Sequence, residues 1–324
     1  TGPAGSKVVP QCDEMCPAQE IAFRRENALL HPLEKDFDVS LVKEYTRPAA
    51  GCDHGNPELL RTADALELSV EYLIDTFGRE DLPFGMRFTF VEDRLRAVRQ
   101  DITITRLSGE PALRLFEKQI FFLITSEYKA RIERSKAFEA KLHATAIEEC
   151  FQRWSELLST RDVDVESSIG RFRGQVAAVH CLKRAADPES LLMAFEFRSL
   201  MGTELFTQIF DLILSFREGN SCRFFKLLHT LPTVSLLQSA CVSLLPSIRL
   251  EGLVTISKAF KSPNVKLPLG VVSRWMGYAE DNVVFLLFLD AVGIVVEEEC
   301  ILPSKIDVDR VEKTDMNDPI LIQL

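Results

Sequence analysis

Residues 84–102 carry large apolar side chains at alternating steps of four and three. The positions are Phe84, Phe88, Val91, Leu95, Val98 and Ile102. In an α-helix this spacing places all of them on one face, whereas in a strand it would scatter them over both faces. The segment is therefore predicted to be an amphipathic helix that buries one stripe.

The same helical spacing recurs along most of the chain, and alternating strand patterns are absent before Pro246. Helices are predicted around residues 62–77, 111–124, 138–158, 172–182, 206–213 and 224–228. Short polar breaks separate them, for example at Asp187 and Pro188, and no strict period relates them. The prediction is an all-α fold of stacked helical hairpins, similar to tetratricopeptide repeats.

After Pro246 the pattern changes to three helices followed by a hairpin. The helices are predicted at 248–260, 269–276 and 282–292, and the strands at 294–296 and 300–302. This is the element order of a winged helix. We therefore expect four segments: 1–61 as an N-terminal arm, 62–246 as the helical-repeat domain, 247–304 as the winged helix, and 305–324 as a partly mobile polar tail.

Charge and cysteine content restrict the class of protein. Asp plus Glu number 48 against 38 Lys plus Arg, a net charge of -10, so any contact with nucleic acid must be local. Eight cysteines lie mostly inside apolar helical patterns, which favours reduced thiols in the cytosol or nucleus. Residues 1–11 show neither a basic nor an apolar region of a secretory signal, and the missing initial Met predicts a fragment or a processed chain.

Two other classes of protein were considered and disfavoured. Residues 227–248 contain no charged side chain, but Pro232 and Pro246 interrupt them, so two short buried helices fit better than a membrane span. No nucleophile elbow, zinc-protease motif or phosphate-binding loop occurs, so no enzyme activity and no cofactor are predicted. An enzyme with an unrecognised site remains an alternative.

A zinc site was weighed for Cys12, Cys16, Cys52 and His54, which together could supply four ligands. Their spacing lacks the tight knuckle of zinc modules, so buried thiols are predicted, with a helix beginning at Pro17.

Four strings, in a shared order, resemble one family of proteins. They are Cys12-Asp-Glu-Met-Cys-Pro17, Lys43-Glu-Tyr-Thr-Arg-Pro-Ala-Ala50, Phe90-Val-Glu-Asp-Arg-Leu-Arg-Ala-Val-Arg-Gln-Asp-Ile102, and Gly219-Asn220 followed by Arg223-Phe-Phe-Lys-Leu-Leu228. These strings are similar to those of the suppressor-of-actin-three/GANP family. One departure is Arg171, which stands where relatives carry an acidic residue.

The resemblance implies a non-catalytic scaffold of the nuclear mRNA-export machinery with a PCI-type architecture, meaning helical repeats followed by a winged helix. It implies pairing with a second PCI protein, which in turn holds a small acidic disordered subunit, and contacts with nuclear-pore and transcription factors. It also implies a location in the nucleus and at the nuclear envelope or pore, to which a cytoplasmic location can be added. It further implies a composite surface that binds RNA weakly. A PCI subunit of the proteasome lid or of a translation-initiation complex is the alternative.

Candidate site residues follow from these expectations. The basic side chains upstream of the third C-terminal helix are predicted to form either one edge of a nucleic-acid surface that a partner completes or an ordinary solvated surface; they are Lys258, Lys261, Lys266 and Arg274. Arg94, Arg96 and Arg99 are weaker candidates, because local ion pairs explain arginines on this helix at least as well. The apolar helix containing Phe285, Phe288 and Leu289 lacks basic residues, so it is predicted to be core or a partner interface.

Overall fold

Helices dominate the computed structural model, which describes residues 8–47, 56–158, 165–231, 235–278, 283–316 and 318–323. The α-helices of the described residues are α1 Ala18–Glu26, α2 Pro32–Asp36, α3 Ala63–Gly78, α4 Phe84–Thr105, α5 Gly109–Ile132, α6 Ala140–Leu157, α7 Ser168–Lys183, α8 Ser190–Glu196, α9 Arg198–Arg217, α10 Ser221–Leu228, α11 Leu236–Cys241, α12 Leu245–Ala259, α13 Leu269–Trp275, α14 Val283–Ala291 and α15 Val308–Glu312. The strands are β1 Leu267–Pro268, β2 Val296–Glu297 and β3 Cys300–Ile301. The predicted all-α fold with a small hairpin is confirmed.

The predicted stripe of α4 is buried. Phe88, Val91, Leu95 and Val98 have almost no exposed surface, and α4 packs against α3, to which residues 79–83 connect it. Arg106 ends the helix in the left-handed conformation, where its backbone N–H donates to the carbonyl of Ile102. Periodicity alone was enough to predict this hairpin, because its core is a continuous apolar surface.

The chain forms two compact units, one of residues 1–126 and 135–161 and the other of residues 127–134 and 162–324. In the first unit the N-terminal arm is tied to the α3–α4 hairpin by backbone hydrogen bonds. The N–H of Cys12 donates to the carbonyl of Leu60 at 3.0 Å, and the N–H of Thr62 donates back to Cys12 at 2.9 Å. The four segments expected from the sequence remain a prediction.

In the second unit α7 packs against α8, α9 and α11. A Cβ on Gly174 of α7 would lie 2.6 Å from the carbonyl oxygen of Leu200, so only glycine permits this approach. Gly202 interrupts α9 with φ at 71°. The sequence pattern found α7, the later part of α9 and α10, but missed the short helix α8.

The C-terminal part of the second unit contains α12, α13 and α14 and a three-stranded antiparallel sheet in the order β1-β3-β2. Ile301 pairs with Leu267 on one side and with Val296 on the other. The predicted helices and hairpin are present, but β1 was missed because two residues that include Pro268 give no strand signal. Leu253, Val272 and Met276 are buried in the common core of these elements.

The chain after Lys305 is not a mobile polar tail in its described residues. Helix α15 packs on α12, and so does the short turn Pro319–Ile322. Val311, Leu321 and Ile322 are buried. Apolar residues spaced too far apart to form a stripe therefore join the core of the C-terminal part.

In its described residues the apolar run 227–248 contains the end of α10, the whole of α11 and the start of α12, so one complete short helix lies within it where two were expected. No helix of the described ranges is both long enough and apolar enough to cross a bilayer.

Candidate partner and nucleic-acid surfaces

Helix α14 has one buried face and one exposed apolar face. Phe285 and Phe288 have no exposed surface, and Leu289 is 1% exposed. The two phenylalanine rings lie 5.4 and 5.2 Å from the ring of Tyr278. Of the two alternatives predicted from the sequence, core or partner interface, the burial of these three residues agrees with the core: they pack α14 against its own module.

The exposed face of α14 consists of Val283, Leu286 and Leu287, which are 63%, 42% and 56% exposed. We call these three residues the α14 face. They are aliphatic, and three such residues on one short helix leave a contiguous apolar surface in water. Because every position of α14 from 283 to 289 is apolar, the sequence could not indicate which side faces the interior.

The four basic candidates of the C-terminal part are all exposed. Lys266 is neutralised: its Nζ lies 2.8 Å from Glu298 Oε2, and this hydrogen bond raises the pKa of Lys266. Lys258, Lys261 and Arg274 form no ion pair with any residue that the structure describes. Three positive charges therefore remain available to an anion.

Arg94 of α4 is buried, and both terminal nitrogens of its guanidinium are paired with carboxylates, so it does not face RNA. Its Nη2 lies 2.7 Å from Glu44 Oε1 and 3.5 Å from Glu34 Oε1, and its Nη1 lies 3.0 Å from Asp93. Its guanidinium also stacks over the ring of Phe90. This outcome matches the alternative interpretation, in which ion pairs explain the charge.

A second group of buried ion pairs surrounds Asp101, which lies about two turns after Arg94 on α4. Lys43 Nζ donates to one carboxylate oxygen at 2.7 Å, and Arg61 Nε donates to the other at 2.8 Å. Arg61 also donates to Ser69 Oγ at 3.3 Å. Asp101 thus joins the N-terminal arm, the start of α3 and α4, which explains why the motif on α4 has an acidic residue after its arginines.

Two carboxyl groups beside these clusters have raised pKa values, because burial disfavours their charged forms. Burial raises the pKa of Glu20, although the N–H of Glu44 and the guanidinium of Arg24 oppose the effect. Burial likewise raises the pKa of Asp93 against the attraction of Arg94. The arginine and carboxylate groups of the arm, including the Arg24–Glu34 pair, form one crowded and mostly buried network.

Arg96 and Arg99 remain on the surface of α4. The guanidinium of Arg96 lies 4.0 Å from the ring centroid of Tyr45, and Arg99 donates to Gln119 at 3.1 Å. Both line an open cavity of about 500 Å³ together with Glu149. The carboxylate lowers the positive potential there, so this surface is a weaker anion site than the three charges of the C-terminal part.

The string at residues 219–228 also has a structural role. Asn220 begins α10, and its side chain accepts a hydrogen bond from the N–H of Arg223 at 3.0 Å. Gly219 adopts φ of 65°, and Phe224 and Phe225 are buried. The glycine, the cap and the two rings therefore define a turn and a packed helix.

Cys12 and Cys16 are buried thiols, as expected. Burial raises the pKa of Cys16 to about 12, so this thiol is protonated at neutral pH. Pro17 precedes α1 as the sequence suggested. No group of three or more metal ligands occurs within the described ranges, and Cys52 and His54 lie outside them.

Sequence reasoning missed one charged residue at the centre of the C-terminal part. Arg249 is completely buried, and it donates to the carbonyl oxygens of Met276, Leu321 and Gln323 at 2.9, 2.6 and 2.7 Å. Its guanidinium lies 4.0 Å from the ring centroid of Tyr278. Burial lowers its pKa to about 10. An arginine within the apolar pattern of α12 was the only available signal.

Comparison with known proteins supports the resemblance seen in the strings. The model of the SAC3/GANP family matches residues 15–298. Similar proteins include protein xmas of Drosophila melanogaster, 25% identical over 84% of this chain and 14% of its own length, and SAC3 family protein B of Arabidopsis thaliana, 27% identical over 91% and 18%. SAC3 family protein 1 of Schizosaccharomyces pombe is 26% identical over 82% of this chain and 28% of its own length.

The chain thus spans less than a third of each of these relatives. The family model, in contrast, covers most of the chain, from Met15 through α14 to the turn between β2 and β3. The chain belongs to the SAC3/GANP family.

Proposed function

We propose that this chain is a non-catalytic scaffold subunit of a nuclear mRNA-export complex that couples transcription to export at nuclear pores. The α14 face carries the proposal, because an exposed aliphatic surface on a rigid module is typical of a subunit that binds another protein. Family membership supports the export role over the alternative of a proteasome-lid or translation-initiation subunit.

The proposed partner of the α14 face is a second PCI protein, which would hold the small acidic disordered subunit. We interpret α12–α14 and the sheet as a winged helix that pairs through its exposed third helix. The α14 face would form the buried centre of that interface, while Phe285 and Phe288 pack α14 against the core of the module. Contacts with nuclear-pore and transcription factors belong to the same proposal.

A composite nucleic-acid surface is the second part of the proposal. Lys258, Lys261 and Arg274 supply three exposed charges that form no ion pair among the described residues. Phe260 and Trp275 stack at 6.3 Å between their ring centroids in the same module. The net charge of -10 limits binding by the isolated chain. A positively charged surface on the partner would complete the site.

The proposal is tested by reconstituting the chain with a second PCI protein identified by mass spectrometry after affinity purification from nuclear extract. Leu286→Asp with Leu287→Asp should abolish the pairing, since two charges would be placed in an apolar interface. Leu142→Asp is the matched control, because Leu142 is 63% exposed on α6. Recovery of lid or ribosomal proteins instead, or unchanged pairing of the folded double variant, would contradict the proposal.

A further inference from the structure

Helices α8 and α9 expose a cluster of aromatic and aliphatic side chains on the second unit. Leu192 is 60% exposed and Phe195 is 53% exposed. The ring of Phe195 lies 5.2 Å from that of Phe206 and 5.3 Å from that of Phe210, and these last two lie 5.6 Å apart. We call these four residues the aromatic patch.

The three rings of the aromatic patch are contiguous, which distinguishes them from single apolar residues at a protein surface. Its rings contact one another in edge-on and tilted arrangements. The same helices contribute other residues to the interior, such as Ala194 of α8 and Ile209 of α9. A second protein that covers the patch would bury its exposed area favourably.

One cation borders the patch. The guanidinium of Arg198 lies 5.4 Å from the ring centroid of Phe206, and Arg198 is exposed. No carboxylate of the described chain pairs with it, and Glu196, its nearest acidic neighbour in sequence, points about 100° away from Phe195 on α8. An arginine of this kind can bind a carboxylate of another protein through two parallel hydrogen bonds.

The spacing of the patch fits a helix better than an extended strand. Phe206 and Phe210 are four residues apart on α9, or about 6 Å along the axis, and Leu192 and Phe195 are three apart on α8. A partner helix with apolar residues at positions i and i+3 or i+4 presents its side chains at the same interval.

We propose that the aromatic patch binds a short amphipathic helix of a partner protein, which places phenylalanine or leucine on the rings and an aspartate or glutamate on Arg198. This interaction goes beyond the proposed pairing, because it uses α8 and α9 rather than α14. The two surfaces can therefore be tested independently.

The test selects ligands from a displayed library of random peptides long enough for three helical turns, with the full chain as target. Selected peptides should carry large apolar residues at one-turn spacing and an adjacent acidic residue. Their affinity, measured by fluorescence anisotropy, should fall more than about tenfold with Phe195→Ser. Arg198→Gln should weaken acidic peptides and remove the preference for them over uncharged versions.

Ile169→Ser is the matched control, since Ile169 is 47% exposed on α7, and it should leave affinity unchanged. Circular dichroism verifies that Phe195→Ser still folds, as its exposure predicts. The proposal is overturned if no peptide is selected, if selected peptides are basic, or if Phe195→Ser binds them normally. It is equally overturned if the patch mediates self-association, seen by ultracentrifugation as a dimer that Phe195→Ser abolishes.

Discussion

Arg61 Nε donates to Asp101 Oδ2 at 2.8 Å, and neither side chain has exposed surface. Arg61 lies two residues before α3, so the pair joins this segment to the C-terminal part of α4, and Lys43 binds the second carboxylate oxygen. The string that most resembles the family therefore fixes the arm to the helical hairpin.

Asp101→Asn should destabilise the first unit strongly. The change removes the only charge that Lys43 and Arg61 share, and breaking a buried ion pair from one side typically costs about 3–5 kcal/mol. Urea denaturation measures the loss in the free energy of unfolding. Asp75→Asn, on the exposed side of α3, is the control and should change the free energy of unfolding by less than about 0.5 kcal/mol. Equal losses in the two variants would show that the buried ion pairs of Asp101 do not stabilise the first unit.

Glu20→Gln should stabilise the chain at pH 7. Burial raises the pKa of Glu20, so the native state favours the protonated form, and the associated stability is lost as pH rises through the raised pKa. Glutamine stays neutral and can still accept the hydrogen bond from the N–H of Glu44, which the carboxylate accepts at 2.8 Å.

The advantage of Glu20→Gln should shrink as pH falls through the raised pKa of Glu20 and should be absent below the ordinary glutamate pKa of about 4.3. Urea midpoints of both proteins across this pH range provide the measurement. A wild-type chain that is the more stable at pH 7, by a margin that grows with pH, would mean that attraction to Arg24 outweighs burial.

Phe288→Ala and Leu287→Ala should separate stability from partner binding. Phe288 has no exposed surface and Leu287 is 56% exposed. Loss of the buried ring should cost about 3–5 kcal/mol, while loss of the exposed leucine should cost less than about 0.5 kcal/mol. Thermal unfolding checks both values, and comparable losses would contradict the assignment of the two faces of α14.

These two residues also illustrate what sequence can predict. The stripe of α4 was predictable because its apolar and polar sides differ. Helix α14 has no such contrast between 283 and 289, so its buried face depends on where Tyr278 and the neighbouring helices lie.

The ion pairs were less predictable still. Arg61 and Asp101 are separated by 40 positions, and Lys43 and Asp101 by 58. No local periodicity relates residues at such distances, and one acidic side chain can satisfy any of many basic ones. The family resemblance identified the string, but only the folded chain indicates that Asp101 binds two cations from different segments.

Arg249→Met should release the C-terminal turn. Methionine retains much of the apolar volume but donates no hydrogen bond, so the carbonyls of Leu321 and Gln323 lose their buried donor. Hydrogen exchange of residues 318–323 should become faster than in wild type. Arg274→Met, at an exposed site on α13, should leave that exchange unchanged. Unaltered exchange in the Arg249 variant would show that the hydrogen bonds of Arg249 do not hold residues 318–323 in place.

Lys261→Gln and Lys266→Gln should differ in their effect on RNA binding. Lys261 is exposed and forms no ion pair among the described residues, whereas the ammonium of Lys266 is bound to Glu298 at 2.8 Å. A lysine that contacts a phosphate of single-stranded RNA releases a counterion, so its removal should reduce the slope of log affinity against log salt by about 0.7.

Anisotropy of a labelled RNA oligonucleotide, titrated with the full chain at several salt concentrations, measures these slopes. Wild-type binding should be weak and strongly salt-sensitive, because the net charge is -10. Lys266→Gln should leave the slope nearly unchanged, since Glu298 already neutralises this ammonium. If both variants lower the slope equally, the Lys266–Glu298 pair opens when RNA binds; if neither does, the basic edge of the C-terminal part does not contact phosphate.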